Sequence, residues 1–214
     1  MGFEKANTNP IEEFLKEWAR EEKVEVREQV AGHIKATEAI LVKLASDEDW
    51  LVRAQVARNP NVSTKILKKL LKDKDEYVRE EVARNPNASV DVLGKLANDK
   101  IWFVRQGVAY NENCPIEILN KLSMDKDSFV RQMVAKNINS TAKIIEQLAN
   151  DEDWEVRYAV ASNPNISEGI LHKLLGDENE QVCLVANKEL DKKNINANQC
   201  AKQKMLACKM TLIG

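Results

Sequence analysis

Glycine and proline are scarce in this chain, at 7 and 5 of 214 residues. So little glycine leaves no room for phosphate-cradling loops, and neither G-x-G-x-x-G nor G-x-x-x-x-G-K occurs. Histidine is rarer still, with only His33 and His172. Two histidines at unrelated positions give no Cys/His or Ser/His/Asp grouping, so the chain reads as a non-enzyme with no catalytic residues. The four cysteines (Cys114, Cys183, Cys200 and Cys208) form no C-x-x-C. Reduced thiols follow, with no metal and no cofactor. A zinc or cluster site on Cys183, Cys200 and Cys208 lacks a fourth ligand in register. No apolar run approaches the roughly 18 residues of a membrane span. The start, Met1 to Lys5, has no apolar signal segment, and Ala6 breaks the myristoylation pattern. No membrane association and a cytoplasmic location are therefore expected. Charge of one sign is also lacking, with 32 basic and 34 acidic residues and a net charge of −2. That is poor footing for phosphate contacts and disfavours nucleic acid as a partner.

What the chain does have is a repeat. Val26-Arg27, Val52-Arg53, Val78-Arg79, Val104-Arg105, Val130-Arg131 and Val156-Arg157 recur at a fixed 26-residue step, and Val182-Cys183 follows. Self-similarity at such a period marks stacked supersecondary units. With the repeated Val counted as position 0, position 4 is Val and position 5 is Ala in six units. Position 7 is Asn59, Asn85, Asn111, Asn137 and Asn163, and position 9 is Asn61, Asn87, Asn113, Asn139 and Asn165. Positions 14 and 15 are aliphatic pairs, position 18 is Leu from Leu44 to Leu174, and position 21 is Asp from Asp47 to Asp177.

Each unit reads as two short helices. Helix A opens at position 11 with Ser63, Ser89, Thr141 or Ser167, which can cap free N–H groups. Pro115 takes that place once and suits a first turn. The apolar spacing 14, 15, 18, 19 gives helix A one buried stripe. Helix B opens near the Asp residues at positions 21 to 23 and runs through Val-Arg-x-x-Val-Ala. Asn-Pro-Asn links at Pro60, Pro86 and Pro164 then stop it. Segments this short can also be partly 3₁₀.

The unit V-R-x-x-V-A-x-N-P-N-x-S-x-x-I-L-x-K-L-A-x-D resembles the leucine-rich repeat variant (LRV) family, over Pro10 to Leu190. The resemblance implies an all-α, right-handed superhelical solenoid in which one helix of each pair is often 3₁₀. Some members of that family hold an iron–sulfur cluster on an N-terminal cysteine-rich segment. No cysteine precedes Cys114 here, so that property does not carry over. A weaker, HEAT-like similarity rests on Asp47/Arg53, Asp73/Arg79, Asp99/Arg105, Asp125/Arg131 and Asp151/Arg157, each six apart. The unit is much shorter than the roughly 40 residues of a HEAT repeat.

Three segments are expected. Residues 1–22 form an N-terminal capping helix, with Phe14, Leu15, Trp18 and Ala19 at positions 14, 15, 18 and 19. Residues 23–190 form seven repeat units, the last one degenerate. Residues 191–214 form an irregular C-terminal cap or a tail. With stacked helices 8–10 Å apart, seven layers give a rod on the order of 60 Å long. A monomer is expected.

The Arg column reads as structural, tying helix B to its loop and to the next unit, and the Lys column at position 17 as a solvated face. Opposite the core-facing Val column, positions 24, 2 and 6 of helix B collect Trp50, Trp102, Trp154, Tyr110 and Tyr158, with Arg58, Arg84 and Lys136. Trp, Tyr and Arg dominate binding hot spots. These eight are the candidate partner-binding residues, and the three cations would steer a partner that is at least partly acidic. The tryptophans can equally fold back over the neighbouring A–B turn. The expected function is a non-catalytic scaffold binding a protein or peptide along this face. The alternative is a nucleic-acid-binding protein of the HEAT-like DNA glycosylase type. It would use Trp102 with Gln106 and Tyr110, or Trp154 with Tyr158, but no distinctive carboxylate stands beside these aromatics.

Overall fold

The computed structural model describes residues 10–194, and every secondary-structure element in them is a helix. The A helices are α1 (Pro10–Trp18), α3 (Glu38–Leu44), α5 (Thr64–Leu70), α7 (Val90–Leu96), α9 (Ile116–Leu122), α11 (Ala142–Leu148) and α13 (Glu168–Leu174). The B helices are α2 (Val24–Gly32), α4 (Trp50–Arg58), α6 (Glu76–Arg84), α8 (Trp102–Tyr110), α10 (Ser128–Lys136) and α12 (Trp154–Ala161). A further helix opens at 180 and continues to 194. The rest of the expected C-terminal segment lies outside the described residues.

Both helix types are α. The 3₁₀ alternative loses because the stripe at 14, 15, 18 and 19 buries fully only at 3.6 residues per turn. The seven-residue α5 keeps α-type bonds at both ends, from Leu67 N–H to Ser63 O (3.1 Å) and from Leu71 N–H to Leu67 O (2.9 Å). Three-residue bonds appear only from donors beyond the helix, from Lys72 N–H to Lys69 O and from Asp73 N–H to Leu70 O. Ser63, Ser89, Thr141 and Ser167 cap their A helices through the N–H three residues on. Pro115 stands one place earlier than expected, as the N-cap of α9 with no side-chain bond to give.

Four of the B helices, α4, α6, α10 and α12, open on the second Asp of the preceding turn. Asp49, Asp75, Asp127 and Asp153 each accept the N–H two residues on. The first Asp, at position 21, has a different task. In six consecutive layers it receives the Arg of the preceding unit, as Arg27–Asp47, Arg53–Asp73, Arg79–Asp99, Arg105–Asp125, Arg131–Asp151 and Arg157–Asp177. Each contact is bidentate. Arg53 gives Nε to Asp73 Oδ2 at 2.7 Å and Nη2 to Oδ1 at 2.9 Å. The same guanidinium gives Nη1 to the carbonyls of Asp47 and Glu48, both at 2.9 Å. The six-apart Asp therefore offers its carbonyl, because its carboxylate is already held by the Arg one layer earlier. This corrects the HEAT-like pairing and makes the ladder continuous from layer to layer.

The ladder also ends coherently. Position 1 of the seventh unit is Cys183, whose Sγ lies 3.1 Å from the Asp177 carbonyl, where an Arg would have donated. The next position 21 holds Gln203 in place of Asp, so an Arg at 183 would have no carboxylate waiting in the sequence.

A second ladder runs along the opposite edge. Asn59, Asn85, Asn111, Asn137 and Asn163 are buried. The amide of Asn85 gives Nδ2 to Ala57 O (2.7 Å) and Asn59 O (3.2 Å), while its Oδ1 accepts from Asn87 N–H. These carbonyls end the B helix of the preceding layer and have no partner inside that helix. The second Asn column extends the ladder, as in Asn87 to Pro60 O and Val62 O.

Between the two ladders lies one continuous core of Val, Leu, Ile and Ala. Successive B helices lie alongside one another for their whole length, whereas successive A helices stand farther apart. Small residues allow this. A Cβ added at Gly107 would sit 3.2 Å from Ala83 Cβ and 3.3 Å from Glu80 O. Unequal spacing curves the stack and puts the B helices on its concave side.

Two expectations need correction. Leu15 of α1 and Ala19 just after it are buried, but Phe14 and Trp18 are 57% and 47% exposed, with their rings 6.4 Å apart. No described layer precedes α1 to cover them. The lysines of position 17 stay exposed but are not simply solvated. Lys43 reaches Ala19 O at 2.9 Å, and Lys69, Lys121 and Lys173 bond to Ser46, Asn98 and Asn150 of the preceding turn.

Candidate interaction surface

The concave face is built from the side chains that the B helices do not bury. Trp50, Trp102 and Trp154 occupy the first turns of α4, α8 and α12 and are 37%, 38% and 40% exposed. Each tryptophan is thus partly exposed and meets another ring of the B helices. Trp50 lies 5.3 Å from Tyr77, and Tyr77 stacks on Phe103 at 5.3 Å. Phe103 meets Trp102 edge-on at 5.7 Å, and Trp102 stacks on Phe129 at 5.1 Å. Five rings thus make one unbroken row across four consecutive B helices. Such ring pairs add about 0.5–1.5 kcal/mol each beyond their burial.

Tyr77, Phe103 and Phe129 were not among the candidates; Tyr77 and Phe103 join Trp50 to Trp102, and Phe129 extends the row beyond it. Their signal is a column at position 25, where Leu51, Tyr77, Phe103 and Phe129 follow one another at the repeat step. Trp154 and Tyr158 form a separate edge-on pair at 6.5 Å.

Two of the three expected cations, the arginines, are not free. Arg58 is bound to Glu81. Arg84 is bound to Glu80 at 2.9 Å and lies 4.9 Å above the Tyr110 ring. Arg58 and Arg84 line a groove of about 640 Å³ with Trp50, Tyr77, Glu28 and Glu80. Lys136 and Tyr110 line a smaller groove of about 260 Å³ with Met133 and Ile138.

On this face Glu28 accepts the Gln55 amide, Glu81 and Glu80 pair with Arg58 and Arg84, and His33 lines an adjoining groove with Glu25 and Glu28, while His172 stands elsewhere, within α13. Burial pushes the Cys114 thiol up to about 12, so it is protonated and inert near neutral pH. No group of three His, Cys, Asp or Glu side chains among the described residues could hold a metal ion. Cys200 and Cys208 lie outside those residues. No described helix is long and apolar enough to cross a membrane.

The model of the leucine-rich repeat variant family matches residues 78–100, which span Arg79, Asn85 and Asp99 of both ladders. A solved leucine-rich repeat variant, described as having a novel repetitive structural motif, is 27% identical to this chain. The alignment covers 84% of this chain and 71% of that one, with a TM-score of 0.61. One repeat unit of the chain thus matches the leucine-rich repeat variant (LRV) family, and the chain as a whole is similar in fold to that solved repeat protein. An engineered protein of known structure is 20% identical over 86% of this chain and 96% of its own, but its TM-score of 0.35 carries no argument. No curated protein matches this chain. The LRV unit accounts for the conserved-looking columns as two inter-layer ladders and a core. The aromatic row lies outside that framework.

Proposed function

We propose that this repeat protein is a non-catalytic interaction scaffold that binds a protein or peptide segment along its B-helix face. The observation that carries the reading is the aromatic row. The ladders and core account for the repeated Val, Arg, Asn, Leu and Asp, but they do not need large rings half in solvent on one face. Contiguous exposed apolar surface on a concave face is typical of binding sites. Trp50, Trp102, Tyr110, Trp154 and Tyr158 are the proposed anchors, with Arg58, Arg84 and Lys136 at the margins and Tyr77, Phe103 and Phe129 completing the row.

Affinity capture from a lysate, with Trp102→Ala and Tyr158→Ala in parallel, tests this. An anchor is worth about 2 kcal/mol or more, roughly a thirtyfold loss of affinity. Specific partners are expected to be lost from both variants, while thermal melts show both still folded. Folded variants that retain every partner, or tight binding of the parent to duplex DNA at low salt, would overturn the reading.

A further inference from the structure

We infer that the segment bound on this face is basic, with Lys or Arg side chains that seat in the trough crossing α2, α4 and α6. The inference rests on the scaffold reading and reverses the sign of partner charge expected from Arg58, Arg84 and Lys136. The groove beside Trp50 and Tyr77 shares Glu28 and Gln55 with an adjoining groove that Glu25 also lines. The continuous trough therefore holds Glu25, Glu28, Glu80 and Glu81 against two guanidiniums. Both guanidiniums are engaged, and Arg84 is covered by the Tyr110 ring. Glu28 accepts only the Gln55 amide, at 3.0 Å, and forms no ion pair among the described residues. The trough therefore presents uncompensated negative charge beside half-exposed aromatic faces.

That pairing fits long cationic side chains. The stem of a Lys or Arg lies along apolar surface while its head reaches a carboxylate. The same head gains from the face of a Trp or Tyr ring. An acidic segment would meet Glu25 and Glu28 as like charges, with Arg58 and Arg84 already bound elsewhere.

The test is selection of displayed random peptides of about 12 residues on the intact protein, followed by titration of the enriched peptides. Net-positive sequences are expected to be enriched. Their affinity is expected to fall at least about tenfold in a Glu28→Gln/Glu80→Gln variant and to weaken with salt, while Glu117→Gln on α9 changes nothing. Glu28→Gln alone breaks no ion pair and serves if the double variant does not fold. Enriched peptides that are neutral or acidic, or indifferent to the carboxylate variants, would overturn the inference. If such peptides still weaken in Trp102→Ala, the scaffold reading stands and only the charge assignment fails. If they ignore Trp102→Ala and Tyr158→Ala as well, both fail.

Discussion

Arg105→Ala, which cuts one rung of the Arg–Asp ladder in mid-solenoid, is expected to destabilise the protein by about 3–5 kcal/mol, the usual cost of orphaning a buried charge. The Arg105 and Asp125 side chains are only 7% and 9% exposed. Removing Arg105 strips both Asp125 oxygens of their guanidinium donors, and the carbonyls of Asp99 and Lys100 lose theirs too. Arg105→Met with Asp125→Leu removes the orphan as well and is expected to cost less than either single truncation. In a solenoid, stability is a sum of unit and neighbour terms, so a weak central seam should also broaden the transition. Urea unfolding followed by circular dichroism measures both effects. A single variant within about 0.5 kcal/mol of the parent would show the ladder to be energetically idle. The same Arg105–Asp125 bridge makes the fold acid-sensitive. Burial works to raise the Asp125 pKa, but Arg105 and the Asp127 N–H outweigh it and hold the carboxyl below its ordinary 3.8. The folded value lies below the unfolded one. The bridge therefore contributes fully above the unfolded value and is lost as pH falls through the folded one.

Asn111→Asp is expected to cost roughly 2–5 kcal/mol, because it turns an amide donor into a buried carboxylate facing two carbonyls. Asn111 is 2% exposed. Its Nδ2 donates to Ala83 O at 2.8 Å and Asn85 O at 2.9 Å, and its Oδ1 accepts from Asn113 N–H at 2.9 Å. Aspartate keeps the last of these bonds and loses the other two. If the asparagine mattered only for its turn, Asp would be nearly neutral, since both residues close such turns. Thermal and urea melts of Asn111→Asp and Asn111→Ala separate the two roles. A near-neutral Asp variant would reduce this column to turn chemistry.

The sequence made the helices and their order legible because one hydrophobic stripe repeats without an insertion. The partner of each Arg was not legible, for a geometric reason. Asp residues stand six before and twenty after each ladder Arg from Arg53 to Arg157, and those offsets differ by one full repeat. A strictly periodic sequence cannot say which copy is bound, and only the stacked layers decide. The Asn ladder was hidden because turn propensity already sufficed to explain Asn59 or Asn85. On the binding face, a helical projection found Trp50, Trp102 and Trp154 but passed over Tyr77, Phe103 and Phe129. Those rings meet side chains of the next layer, and no projection of a single helix contains that layer. Phe14 and Trp18 show the same limit in reverse, because their register is that of a core but no described neighbour covers them.

Photo-crosslinking from chosen faces tests the central claim most directly. A benzophenone side chain is placed singly at Tyr77 and Tyr110 on the concave B-helix face. It is also placed at Val90 and Ile116, exposed on the A helices. After irradiation in lysate, the account predicts discrete adducts from Tyr77 and Tyr110 and none from Val90 or Ile116. Adducts formed from the A-helix positions, with none from the B-helix face, would contradict it.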